Sequence, residues 1–82
     1  MPIRVLLFAG LKELAGLSEV EVSLPLSRQP LSSVLPLLCE RIPGLAGRLD
    51  SVRFAINEAF VDSEAELAAG DTLAIIPPVS GG

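Results

Sequence analysis

The chain has 82 residues, half of them apolar, with a formal net charge of −4, one cysteine and no histidine. This length fits a single domain with one core, and Cys39 alone supports neither a disulfide framework nor a zinc cluster. The basic residues are scattered, no apolar run approaches about 20 residues, and no signal-peptide pattern is present. These features predict a cytoplasmic protein that binds neither nucleic acid nor membrane.

The first 24 residues predict a β-hairpin that is interrupted by a helical turn. Residues 3–8 are rich in apolar and β-branched side chains and predict a central, buried strand. Residues 11–15 predict a turn or two of helix, with Gly16 as the C-cap. Residues 19–24 alternate between apolar and polar side chains, which predicts a half-exposed strand antiparallel to the first.

A polar loop at residues 25–30 leads into the main helix. Five apolar residues at spacings of three and four predict this helix over residues 31–42. Pro36 would break a hydrogen bond inside a helix, so the prediction places the N-cap at Ser33, which puts Pro36 in the first turn. Pro43 and Gly44 end the helix.

The remaining residues predict short elements that complete one sheet. Residues 45–51 form a loop or an extra turn, 52–57 a strand, and Asn57 and Glu58 a turn into a short strand at 59–61. Residues 62–69 predict a helical or turn segment, and residues 72–76 the last strand. The strand after the helix is expected to lie parallel to its sheet partner.

This order predicts an α+β fold of the ubiquitin-like β-grasp type. In it, a mixed sheet of about five strands packs on one main helix. Residues 1–76 form the domain, and residues 77–82 form an extended tail that ends in two glycines.

The tail is the strongest candidate for a chemical site. Pro77 and Pro78 stiffen its exit, and Gly81 and Gly82 have no side chains, so a narrow channel can admit them. Six extended residues reach on the order of 20 Å. The Gly82 carboxylate is then the reacting group, and a partner must activate it, because the chain has no phosphate-binding glycine loop. A frayed terminus is the alternative interpretation.

At this point the chain resembles the small subunit of molybdopterin synthase, the MoaD family of ubiquitin-like sulfur carriers. The resemblance spans the chain. Its motifs are residues 3–9 with 11–14, Phe-Ala-Ile-Asn at 54–57, and Ala-Gly-Asp at 69–71. The most specific is Pro-Pro-Val-Ser-Gly-Gly at 77–82, which includes Val79 and Ser80.

The resemblance implies a mechanism in which this chain is a sulfur-donating cosubstrate of a sulfurtransferase. An E1-like adenylyltransferase uses ATP to form an acyl-AMP at Gly82, and a sulfur donor converts it to a thiocarboxylate. The loaded tail then enters the large subunit of a heterotetramer and gives its sulfur to cyclic pyranopterin monophosphate. No tightly bound cofactor and no metal are implied, and the catalytic side chains belong to the large subunit.

Several further assignments stay open at the level of sequence. Phe8, Phe60 and Ile76 are candidates for a partner interface on the sheet face opposite the helix, although core packing is the favoured interpretation for Phe8. Lys12 and Arg53 are candidates for pairing with acidic partner residues, although solvated surface charge is the favoured interpretation for each. Cys39 is interpreted as a small hydrophobic residue of the helix.

Three alternative functions also remain. The chain can be a sulfur carrier for thiazole, cysteine or tRNA thiolation, a modifier conjugated to lysines as ubiquitin is, or an interaction module whose tail is incidental.

Overall fold

A computed structural model describes residues 1–78. In chain order the elements are β1 (Pro2–Leu7), α1 (Ala9–Ala15), β2 (Glu19–Ser23), β3 (Arg28–Pro30), α2 (Leu31–Arg41), a 3-10 helix (Leu45–Arg48), β4 (Arg53–Ile56), β5 (Ala59–Val61), β6 (Glu66–Ala68) and β7 (Thr72–Ile76). Five strands form a mixed sheet in the order β2-β1-β7-β4-β5, and β3 pairs with β6 in a second, small sheet. This is the predicted β-grasp arrangement.

One face of the large sheet is covered by α2. Ile3, Val5 and Leu7 alternate into the core from β1, and Leu31, Val34 and Leu38 meet them from the helix, each at most 2% exposed. The predicted hairpin of β1 and β2 is antiparallel, and Gly16 ends α1 with a left-handed φ of 73°. The apolar periodicity of the sequence therefore predicts both layers of the core correctly.

Helix α2 begins at Leu31, so the prediction of an N-cap at Ser33 is wrong. The N–H groups of Leu31 and Ser32 donate to the carbonyls of Ala65 and Ser63, at 2.8 and 2.9 Å. These loop carbonyls satisfy N–H groups that a side-chain cap would otherwise serve. Pro36 lies inside the helix, where its missing N–H costs one helical hydrogen bond.

The small sheet corrects two predictions. Residues 28–30 form β3 instead of loop, and residues 66–68 form β6 instead of a helical turn. The two strands pair antiparallel, with Gln29 opposite Leu67, and Leu67 is fully buried. They form because this pairing buries Leu67 and satisfies backbone groups far apart in the sequence.

The strand that follows α2 also differs from expectation. β4 has antiparallel partners on both sides, β5 and β7, and the parallel pair of the sheet is β1 with β7. The reason is that β7, the last strand, takes the place beside β1 and separates β4 from it. Within residues 1–78, no helix has the length and apolarity to cross a membrane.

Candidate functional site

Strand β7 fixes the point at which the chain leaves the sheet. It lies between β1 and β4, and its residues Leu73 and Ile75 are fully buried. Pro77 and Pro78 follow directly, and neither can donate an N–H to a neighbouring strand, so the ladder ends at Ile76. Val79, Ser80, Gly81 and Gly82 lie outside the described residues, so their predicted role stays a prediction.

The sheet face opposite α2 carries a depression beside this exit. In register, Leu6, Ala74, Ala55 and Phe60 form one row across four strands. The two alanines are small and form the floor, whereas larger side chains rise around them. We call this concavity the open-face depression; its apolar lining consists of Leu6, Phe8, Ala55, Phe60, Ala74 and Ile76.

The structure brings all three predicted interface residues to this depression. Phe60 is 65% exposed and Phe8 44% exposed, and Ile76 is half-buried. The preference for core packing of Phe8 was therefore wrong. Because Leu7 points into the core and the backbone of Phe8 is still extended, with φ −122° and ψ 154°, the Phe8 side chain points to the opposite face.

Arg53 holds the exposed ring of Phe60 from one side. Its guanidinium carbon lies 5.0 Å from the centroid of the Phe60 ring, which is a cation–π contact. Arg53 stands on β4 directly opposite Ile76 of β7. The contact therefore links the edge strand β5 to the part of the sheet from which the tail leaves.

Charge is unevenly distributed along this face. At the β2 side, Glu19 pairs with Arg4 at 3.3 Å, and Glu21 stands beside it on the same face; the Arg4–Glu19 pair is more than half exposed and contributes little stability. At the other side stand Arg53 on β4 and Glu58 in the turn between β4 and β5. Arg48 lines a neighbouring depression with Phe8, Pro77 and Pro78.

A polar clasp, formed by the side chains of Asn57 and Asp71, joins the turn between β4 and β5 to the start of β7. Asn57 Nδ2 donates to Asp71 Oδ1, and the Thr72 N–H donates to Asn57 Oδ1, both at 3.0 Å. Asp71 Oδ2 accepts from the Ala68 N–H at 2.9 Å. The sequence predicted the turn at Asn57 and Glu58 but not its hydrogen bonds to Asp71 and Thr72. The sequence signal for them was that Asn57 and Asp71 are polar residues whose side chains can hydrogen-bond to neighbouring backbone groups.

Other candidate residues lie away from the open-face depression. Lys12 is exposed on α1, and Cys39 is half-buried on α2, on the covered side of the sheet. Across residues 1–78, no three side chains of His, Cys, Asp or Glu come together in a way that could hold a metal ion.

Comparisons with known proteins agree with this fold. The ThiS family matches residues 5–82. The chain is 39% identical to the molybdopterin synthase sulfur carrier subunit of Aedes aegypti, over 98% of this chain and 88% of that protein. Its fold is similar to that of SAMP1, a small archaeal modifier protein of Haloferax volcanii, with a TM-score of 0.89, 31% identity and 100% of both chains covered.

A third likeness comes from a complex. A chain of the complex of subunits 1 and 2 of the Helicobacter pylori molybdopterin-converting factor is 25% identical to this chain, with a TM-score of 0.70 and 100% of both chains covered.

Proposed function

Since this chain belongs to the ThiS family, whose match spans residues 5–82, we propose that it is the sulfur-carrier subunit of a molybdopterin synthase. The observation that carries the proposal is that the sheet delivers Pro77 and Pro78 beside an exposed apolar depression, in a chain that resembles a sulfur carrier subunit along its length. A cytoplasmic location is part of the proposal.

The reacting group in this proposal is the carboxylate of Gly82. An E1-like adenylyltransferase would bind ATP, and the carboxylate would attack the α-phosphorus and release pyrophosphate. A sulfide anion delivered by a sulfur donor would then attack the acyl carbon and expel AMP, which leaves a thiocarboxylate. The role of this chain is to present a backbone thin enough to reach both active sites, and side chains of its partners carry the catalysis.

The open-face depression is the proposed docking surface for the large subunit. Phe8, Phe60 and Ile76 would bury their exposed area there, while residues 77–81 would guide Gly82 into the active site. The H. pylori complex of subunits 1 and 2 supports a large-subunit partner for this fold. Two loaded carriers would serve each molybdopterin, one at each end of a large-subunit dimer in a heterotetramer.

Intact mass spectrometry of the protein from its native cells tests the chemistry. We expect a species whose mass shows one oxygen replaced by sulfur, localised to Gly82 by fragmentation. Incubation with the large subunit and cyclic pyranopterin monophosphate should return it to the carboxylate. A variant with one alanine added after Gly82 is the matched control and should never carry the sulfur. A loaded form that the large subunit does not discharge would instead indicate another thiolation pathway.

A second candidate function is protein modification, and the similarity to a small archaeal modifier protein favours it. In that case the activated Gly82 would form an isopeptide bond with a lysine of a target. Trypsin digestion of cell extracts distinguishes the two. Lysines bearing the C-terminal remnant of this chain support modification, and their absence from cells that contain the thiocarboxylate supports the carrier function.

A further inference from the structure

The cation–π contact between Arg53 and Phe60 involves an exposed ring at the edge of the sheet. Phe60 belongs to a three-residue edge strand and is 65% exposed, so packing leaves its ring largely free. Arg53 covers one face of the ring at 5.0 Å, from the neighbouring strand β4. The guanidinium beside the ring restricts the orientations of Phe60 before a partner binds. Less conformational entropy is therefore lost on docking.

The guanidinium of Arg53 keeps its hydrogen-bonding capacity in this arrangement. Within residues 1–78 Arg53 donates no side-chain hydrogen bond, so the guanidinium N–H groups that do not face the ring can bind a carboxylate. Among residues 1–78 the ion pairs are Arg4 with Glu19 and Arg28 with Glu66, and neither involves Arg53. Asp50 and Asp62 line a depression on the β5 side with Arg53, but neither comes within 4 Å of its nitrogens.

Charged side chains stand at both sides of the open face. Glu19 and Glu21 stand at the β2 side, where Arg4 pairs with Glu19, and Arg53 stands at the β4–β5 side beside Ile76, with Glu58 in the adjoining turn. A partner carboxylate is attracted by Arg53 and repelled by Glu21, so its position favours one docking orientation. The acidic balance of the chain, −4 overall, makes a nucleic-acid phosphate the wrong ligand for this single arginine.

We propose that Arg53 is the specificity residue of the docking surface, holding the Phe60 ring in place while its guanidinium pairs with a carboxylate of the partner protein. The inference rests on the proposed function, since it places this pair at the interface with the large subunit. It adds a charged contact beside the apolar residues Phe8, Phe60 and Ile76 and predicts an aspartate or glutamate on the partner opposite β4.

Isothermal titration of the unloaded chain with the large subunit tests this inference. R53M keeps the length of the side chain without its charge, and we expect a Kd about 10- to 100-fold weaker, as for truncation of one partner of a buried charge pair. The deficit should shrink at high salt, where the wild-type pair is weakened and R53M has none to lose. R53K should recover part of the affinity. R28M is the matched control, because Arg28 is an exposed arginine of the small sheet, and it should bind like wild type.

Coupling between the two side chains supplies the second arm of the test. If Arg53 acts partly through the ring, R53M should cost less affinity in the F60A background than alone. R53M binding as tightly as wild type, an R53M deficit that is the same at all salt concentrations, or R28M weakening the complex as much as R53M would each overturn the inference. Those results leave the proposed function intact, whereas failure of the wild-type chain to bind the large subunit contradicts the proposed function itself.

Discussion

Replacing Phe60 with alanine tests whether the open-face depression is the docking surface. The ring is 65% exposed, so its removal should cost little folding free energy. A phenylalanine presents about 200 Å² of surface. Burying roughly 130 Å² of it at about 25 cal/mol per Å² stabilises a complex by at most ~3 kcal/mol. We therefore expect Phe60→Ala to raise the Kd for the large subunit by up to about 100-fold.

The assay is isothermal titration together with urea unfolding of the same variants. Leu26→Ala is the matched control, because Leu26 is 58% exposed but lies in the loop between β2 and β3, outside the depression. Both substitutions remove exposed apolar surface, and only Phe60→Ala should weaken the complex. Urea midpoints of the two variants should stay close to that of the wild type, which shows that binding rather than folding has changed.

Two results would refute this reasoning. Phe60→Ala binding within about twofold of the wild type would mean that the ring stays in water in the complex, a difference of only about 0.4 kcal/mol. Equal weakening by Leu26→Ala would mean that general surface hydrophobicity, and not the depression, governs association.

Three further predictions concern stability and are checked by urea unfolding. Glu58→Gly should stabilise the fold by about 0.5–1 kcal/mol, because Glu58 adopts a φ of 72° in the turn between β4 and β5, where glycine is free of strain. An unchanged urea midpoint would contradict this prediction. Asp71→Ala should lower the free energy of unfolding by about 1–3 kcal/mol, because it leaves the Ala68 N–H and the Asn57 amide without their acceptor. Asp62→Ala is the control, since the Asp62 carboxylate accepts one exposed backbone N–H. A loss for Asp71→Ala no larger than that for Asp62→Ala would count against the clasp. Leu67→Ala should cost about 2–5 kcal/mol, since Leu67 is fully buried, and a cost near that of Leu26→Ala would show that the small sheet contributes little.

The elements that the sequence predicted correctly are those whose residue pattern is complete within the element itself. Residues 19–24 alternate over enough positions to identify both the strand and its buried face, and the stripe in α2 is long enough to define a helix. The exit at Pro77 and Pro78 needs no tertiary information, because two consecutive prolines cannot donate N–H groups to the strands on either side of a central strand. These features define the large sheet, its covered face and the position of the tail.

The features that were missed depend on partners distant in sequence. β3 and β6 have three residues each, too few for a periodic pattern, and they pair across more than thirty intervening residues. The start of α2 depends on carbonyls of Ala65 and Ser63, which replace a side-chain cap. The exposure of Phe8 depends on how far β1 stays extended. In each case a tertiary contact outweighed the local preference.

Under the proposed carrier function, the two terminal glycines can supply little of the recognition between this chain and its partners. Gly81 and Gly82 have no side chains, so a channel that accepts them can measure their width and length but cannot distinguish one diglycine carrier from another. Discrimination between partners then requires side chains that are fixed relative to the exit. Phe60 and Arg53 meet that requirement. Strand β4, which carries Arg53, pairs directly with β7, and the hydrogen bond between Asn57 and Asp71 ties the β4–β5 turn to the start of β7. Transplanting these open-face residues between carriers should therefore move partner preference with them, while transplanting the terminal glycines should not.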